Sequence, residues 1–209
     1  VAEADFFGAK MAAAVEAAVR DVEAHTSAEL VVAVRRRAAA WRVVDVAVGA
    51  AAGFAMLLVL LFHPAPFVVA WMPLEVLGAA IVGGLLSRGS WGLRRLLVSR
   101  AQRRAAAQLA ARAAFVDLGV SRTRGRSGLL VVAFLQERLS EAVLDVGLDA
   151  RALGDAWPRA LAAVDEAVAA ADAERFLTAL RALGPILGAA LPRQADDVNE
   201  LPDAPVVDA

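Results

Sequence analysis

Val46-Ala-Val-Gly-Ala-Ala-Ala-Gly-Phe-Ala-Met-Leu-Leu-Val-Leu-Leu-Phe62 contains no charged or polar side chain, and Val43 and Val44 extend the run past Asp45. About 20 residues at 1.5 Å per residue cross roughly 30 Å of hydrocarbon, so residues 43–62 have the length of a membrane span. After His63-Pro64-Ala65-Pro66 a second apolar run covers residues 67–86, interrupted by Pro73 and Glu75. A charge near one end of a span is tolerated when it faces the loop or a partner helix. The turn then extends as far as Pro73, and the second helix starts near Leu74. So short a linker predicts an antiparallel transmembrane hairpin over residues 43–86. Two buried helices of a soluble protein are the competing reading, and the Pro-rich joint and flanking arginines argue against it. Gly49 and Gly53 in the first run, and Gly78, Gly83 and Gly84 in the second, permit close helix contact.

Working outward, Arg35, Arg36, Arg37 and Arg42 precede the first run, and Arg88, Arg94, Arg95, Arg100, Arg103 and Arg104 follow the second. The turn between the runs has no Lys or Arg. Cytoplasmic flanks carry the excess of basic residues, so both flanks, and the soluble segments beyond them, are predicted to lie in the cytoplasm. Trp41, Trp71 and Trp91 stand near the expected interfaces, where indoles are favoured.

The whole-chain composition agrees with this division. Hydrophobic residues make up 59% of the 209, too many for an ordinary cytosolic domain unless Ala-rich helices account for part of the excess. The net charge of −1 hides a segregation. Ten arginines stand against Asp117 alone between residues 88 and 126, whereas Asp196, Asp197, Glu200, Asp203 and Asp208 close the chain with no base among them. There is no cysteine, which excludes disulfides, thiolate metal sites and a cysteine nucleophile. With only His25 and His63, a multi-histidine metal site is excluded as well. Residues 1–24 read as an amphipathic helix rather than a charged-then-apolar leader.

Two soluble segments remain, residues 1–37 and 90–195, followed by an acidic tail at 196–209. The first predicts a helix over 7–24, with Val15, Val19 and Val22 on its apolar face, and a strand over 29–34. One helix and one strand cannot bury a core alone. Beyond the hairpin, a long helix is expected over 90–115, strands over 128–134 and 141–146, and helices over 153–171 and 173–191 with Asp172 as N-cap. Helices on a short mixed sheet predict an α/β fold, an αβα sandwich interrupted by the inserted hairpin.

Thr26-Ser-Ala-Glu-Leu-Val-Val-Ala-Val34, Ala114-Phe-Val-Asp-Leu-Gly-Val120, Arg122-Thr-Arg-Gly-Arg-Ser-Gly-Leu-Leu-Val131 and Asp145-Val-Gly-Leu-Asp149 occur in that order. In this combination the chain resembles the TPM domain family, named after a thylakoid lumen protein with phosphatase activity. It most resembles bacterial members with two inserted spans and an Asn-Glu-Leu-Pro-Asp ending, here Asn199 to Asp203. The resemblance covers essentially the whole chain and implies an αβα sandwich in a bacterial inner-membrane protein. It also implies acid phosphatase activity, divalent-cation binding or an accessory role in maintaining membrane complexes. Many members lie outside the cytoplasm, whereas the arginine flanks here predict a cytoplasmic domain.

The residues themselves offer three polar constellations. Asp196, Asp197, Asn199, Glu200 and Asp203 bring together the oxygen ligands that Ca²⁺ or Mg²⁺ prefers, but without EF-hand spacing. A solvated tail, or one docked on Arg122, Arg124 and Arg126, is the plainer reading. Asp117, Asp145 and Asp149 form a second candidate cation cluster, although Asp149 also suits a helix N-cap and Asp117 a helix end. Arg122, Arg124 and Arg126 offer forked donors for phosphate, the anionic membrane surface or the acidic tail. No phosphate loop, nucleophile elbow or carboxylate–histidine set accompanies them.

The expected function is therefore a non-enzymatic accessory protein at the cytoplasmic face. It would bind a partner protein, a second copy of itself or a divalent cation, with the bilayer as a further partner. A metal-assisted phosphomonoester hydrolase, suggested by the resemblance, is the alternative. Nucleic acid is not an expected partner, because the arginines adjoin a span.

Overall fold

The computed structural model describes residues 9–64, 68–194, 196 and 198–208. In chain order the elements are α1 (Ala9–Glu23), β1 (Glu29–Arg35), α2 (Arg42–Phe62), α3 (Met72–Gly89), α4 (Trp91–Leu97) and α5 (Arg100–Asp117). These are followed by β2 (Gly128–Phe134), β3 (Leu139–Leu144), α6 (Ala156–Ala170), α7 (Ala173–Arg181), α8 (Leu183–Ala190) and β4 (Val206–Asp208). Short 3₁₀ turns precede α3 and β2. The chain divides into two units, Val1–Ala39 with Arg104–Ala209, and Ala40–Arg103.

The first unit is a mixed α/β fold on a four-stranded sheet of order β3-β2-β1-β4. β1 runs parallel to both β2 and β4, and β2 pairs antiparallel with β3. The apolar runs of β1 and β2 are those of central strands buried on both faces. Successive side chains of a strand point to opposite faces, and the packing follows that period of two. Leu30, Val32, Val34, Leu129, Val131 and Ala133 join one cluster with Val15, Val19 and Val22 of α1, Trp157 and Val164 of α6, Phe176 and Leu180 of α7, and Leu183 and Leu187 of α8. Val31, Ala33, Leu130, Val132 and Phe134 join the other, closed by Ala107, Ala111, Ala114 and Phe115 of α5. Alanines at helical spacing let α5 lie close on the sheet, so one helix covers a face that takes four on the other side.

Several boundaries differ from the sequence expectation, each for a local reason. The helix expected over 90–115 is broken between Leu97 and Arg100. Ser99 and Gln102 form a capping box: the Gln102 N–H donates to Ser99 Oγ (3.2 Å), and the Ser99 N–H donates to Gln102 Oε1 (3.1 Å). The helix expected over 173–191 divides at Ala182 because Pro185 fits the first turn of α8 but not a helix interior. Asp172 caps α7 as expected, accepting from the Arg175 N–H. Asp149 does not cap a helix. It accepts from the Arg151 N–H in a turn, and α6 starts only at Ala156, after Gly154 at φ 66°. β3 begins two residues earlier than expected. Helix α1 starts within the expected 7–24 span, of which positions 7 and 8 lie outside the described residues.

The acidic segment at 196–209 is not a free tail. It folds back along β1, and Val206, Val207 and Asp208 pair with Ala33, Val34 and Arg35.

In the second unit α2 and α3 pack as an antiparallel pair, each part of a helical stretch long and apolar enough to cross a membrane. Their contact is made by glycine. A Cβ at Gly49 would lie 2.6 Å from the Ala80 carbonyl oxygen, and one at Gly83 would lie 2.5 Å from Ala52 Cβ. The opposite faces leave Val46, Phe54, Leu61, Leu77, Ile81 and Leu85 exposed. Pro73 sits in the first turn of α3, where its missing N–H costs no helical bond, so this helix starts before the expected Leu74. The expected start of the second run, Phe67, lies outside the described residues. At the basic end, the Arg94 guanidinium grips Asp45 (Nη2–Oδ2 2.7 Å) and the Ser87 hydroxyl donates to the same carboxylate (3.0 Å).

Candidate functional site

Parallel pairing of β1 with β2 places the two loops that enter these strands side by side. Residues 26–28 lead into Glu29, and residues 123–127 lead into Gly128. The loops are joined directly, since the Glu29 N–H donates to the Ser127 carbonyl (3.2 Å) and Ser127 Oγ donates to the Ser27 carbonyl (3.2 Å). The segment after α8 closes a third side. Thr26 Oγ1 donates to the Leu191 carbonyl (2.6 Å), and the Gln194 N–H donates to Ser27 Oγ (3.0 Å). The result is an open cleft of about 280 Å³ whose lining includes Ser27, Glu29, Arg124, Ser127, Asp196 and Glu200. Its floor needs glycine: a Cβ at Gly147 would stand 2.4 Å from the Gly125 carbonyl oxygen.

Of the residues expected from the sequence, the cleft lining takes Arg124, Asp196 and Glu200. Glu200 Oε2 accepts from the main-chain N–H of Arg124 (2.9 Å), so the acidic segment does dock on the basic turn, through backbone rather than guanidinium. Asp196 is exposed at the rim. Asp145 is buried beside the floor, taking the Val146 N–H (2.7 Å) and the Arg126 Nε–H (3.3 Å) on Oδ1. The remaining expected residues go elsewhere. Asp117 is exposed at the end of α5, and Arg122 lays its stem beside Gly119. Asn199 donates to Asp203, whose other oxygen faces Arg20 Nε (3.4 Å). Asp197 lies outside the described residues.

Among the described residues no three His, Cys, Asp or Glu side chains are gathered closely enough to hold a metal ion. Asp145, Asp149 and Glu200 each hold a main-chain N–H instead.

Two groups were not anticipated from sequence. Glu29 is buried at the cleft wall, where its Oε2 accepts from the Leu201 N–H (3.1 Å). Behind it, Glu23 accepts from the Leu30 N–H (3.0 Å). Burial pushes the Glu23 carboxyl up to about 7; the charges of Glu29 and Asp203 add to the shift, while the Leu30 N–H and Arg193 oppose it. The only advance signal was an acid placed immediately before an apolar strand.

A second cleft of about 280 Å³ lies at the β3 edge. There Arg104 donates to Glu141 Oε1 (3.0 Å), Asp165 Oδ2 (2.7 Å) and the Ser140 carbonyl (3.0 Å), and the Ser140 N–H donates to Asp165 Oδ1 (2.7 Å). Burial raises the Glu141 carboxyl against the pull of Arg104. Burial alone would lower the Arg104 guanidinium, but its bonds to Glu141 and Asp165 outweigh that and raise it. The triad occupies the outward N–H and C=O of Ser140, which would otherwise be open strand edge. Its groups are spent on structure.

No protein-family profile matches the chain, and no curated protein matches it. Among solved structures it is similar to the BA42 protein of the psychrophilic bacterium Bizionia argentinensis, with a TM-score of 0.57 and 14% identity. The match covers 96% of this chain and 94% of that one. At that identity the likeness concerns the fold alone.

Proposed function

We propose that the chain is a TPM-like membrane protein: an αβα sandwich, split by a transmembrane hairpin, that serves as a non-enzymatic docking module for a partner protein. The anchor reading is supported by α2 and α3, whose mutual face is closed by glycine while large apolar side chains stay uncovered around it. Arginines at one end of both helices orient the sandwich toward the cytoplasm of a bacterial inner membrane.

The binding reading rests on the cleft beside β1 and β2. Glu29, Asp196 and Glu200 outnumber Arg124 there, so the opening suits a cationic side chain of a partner. The observation that carries the non-enzymatic reading is that, among the described residues, no three His, Cys, Asp or Glu side chains are gathered as a metal-holding group. A phosphomonoester hydrolase needs an activated nucleophile or a metal-held water.

The test uses the full chain in nanodiscs, titrated with Ca²⁺ and Mg²⁺ in a calorimeter while phosphomonoester hydrolysis is assayed. The expected result is no saturable heat and no turnover. Turnover abolished by Asp145→Ala would establish the hydrolase instead, and saturable Ca²⁺ binding lost in Glu200→Gln would establish a cation site. For orientation, the chain's lack of native cysteine lets single cysteines report. In intact spheroplasts an impermeant maleimide should label His63→Cys and spare Asp149→Cys; the reverse pattern refutes the cytoplasmic assignment.

A further inference from the structure

Helix α4 has two unlike sides. At about 100° per residue, Arg94 and Val98 fall on one side and Gly92 and Leu96 on the other. Arg94 and Val98 are buried, the former on Asp45, so one side of α4 is latched to the basic end of the α2–α3 pair. The other side is bare. Leu96 is 85% exposed, the most exposed large apolar side chain among the described residues, and Leu97, about 100° further round between Leu96 and the latched side, is 53% exposed. Along the chain the exposed Arg88 and Arg100 stand on either side of this leucine pair, and the half-buried Arg95 adjoins it.

We propose that α4 is an in-plane membrane element, which sinks Leu96 and Leu97 into the headgroup–acyl boundary while the neighbouring arginines meet anionic lipid headgroups. The inference rests on the reading of α2–α3 as a membrane anchor. Lipid is the occupant for two reasons. The leucines adjoin, along the chain and through the Arg94–Asp45 latch, the apolar surface that the bilayer would cover. The charge pattern also matches: a short apolar face flanked by guanidinium is the composition of interfacial helices, which bury about 5–10 Å deep and strengthen with anionic lipid. The latch has a positional meaning here. It turns Arg94, the residue that would oppose insertion, inward onto a carboxylate.

Gly92 offers an unobstructed probe position, since a side chain built there meets nothing within 4 Å. A nitroxide on Gly92→Cys, in the full chain reconstituted in phosphatidylcholine vesicles with and without phosphatidylglycerol, reports depth by oxygen and nickel-chelate collision. Phe54→Cys serves as the anchor reference and Asp149→Cys as the aqueous one. The expected result is an intermediate depth at Gly92 that grows with phosphatidylglycerol and is lost in Leu96→Gln/Leu97→Gln. If Gly92 matches Asp149 while Phe54 is shielded from nickel, α4 is aqueous and the inference falls with the anchor intact. If Phe54 is nickel-accessible too, the anchor reading itself falls. A depth at Gly92 that ignores phosphatidylglycerol would overturn the headgroup assignment.

Discussion

Replacing Arg94 by methionine should loosen the α2–α3 pair at its basic end. The guanidinium makes three contacts with one carboxylate, Nε–Oδ1 at 3.1 Å, Nη2–Oδ1 at 2.8 Å and Nη2–Oδ2 at 2.7 Å, and is 4% exposed. Its removal leaves the Asp45 carboxylate, 16% exposed, with the Ser87 hydroxyl as its remaining partner in this cluster. An uncompensated buried charge costs about 3–5 kcal/mol. Asp45→Asn removes the charge that faces the guanidinium and should also weaken the pair. The double variant Asp45→Leu/Arg94→Met removes both charges and should return to within about 1 kcal/mol of the parent, because the desolvation penalty goes along with the attraction. A fluorophore pair on Val43→Cys and Leu86→Cys, at the same end of the two helices, follows their separation as sodium dodecyl sulfate is titrated into mixed micelles. If Arg94→Met costs less than about 1 kcal/mol, or if the double variant sums the two singles, the latch is an exposed surface pair and the reasoning fails.

Glu23 carries a pH prediction. Its carboxyl is raised from 4.5 to about 7, so between these values the folded state binds more protons than the unfolded one and stability falls as pH rises. The full shift corresponds to about 3 kcal/mol, and partial solvent exposure reduces that to roughly 1–2. Amide exchange of β2 across this window should show the decline in the parent and a flat profile in Glu23→Gln. Gly83→Leu should separate α2 from α3, since even a Cβ meets Ala52 at 2.5 Å, whereas Gly78→Ala, facing open space, should stabilise by about 0.5–1 kcal/mol; the same detergent titration reads both. Asp165→Asn removes the charge that holds Arg104 and should lower the unfolding free energy by about 2 kcal/mol, with exchange rising first at Ser140 in β3.

The sheet was legible because β1 and β2 are unbroken apolar runs flanked by turn residues, and a run of that kind has few alternatives to a central strand. The helix–helix contact was legible in part: of the five expected glycines, those at 49, 53, 83 and 84 face the partner helix, whereas Gly78 faces open space. What escaped was local chemistry that competes with periodicity. Ser99 and Gln102 lie in a run of Arg, Gln and Ala, all good helix formers, between Leu97 and Leu109, so only the reciprocal spacing of a capping box hints at the break. The last strand escaped for a different reason. Val206-Val207 is too short to read as a strand beside five acids, and it forms only because β1 presents an open edge at Ala33–Arg35. The cleft was half legible. Arg124 and Glu200 were candidates, but as point charges, whereas the contact runs from the Arg124 main-chain N–H. Glu23 and Glu29 were invisible because an acid next to a strand looks like a solvated end until tertiary packing buries it.

The position of β1 bears on how the domain forms. All of its partners, β2 on one side and β4 on the other, come after α2 and α3 in the chain. Closing the roughly 90 residues between β1 and β2 costs only logarithmically in length. Tying Asp45 to Ser87 shortens the effective loop by about half and recovers only about 0.5 kcal/mol. Entropy of closure is therefore too small to make the insertion a burden, and order of arrival matters more. On the membrane-anchored reading, Leu-Val-Val-Ala-Val waits unpaired until both crossings are complete, with the composition of an aggregation-prone segment. Arg35, Arg36 and Arg37 follow it at once. On the proposed topology these three charges also mark the cytoplasmic flank, and they stand where gatekeeper residues protect an unpaired strand, so substituting them should harm yield before it harms topology.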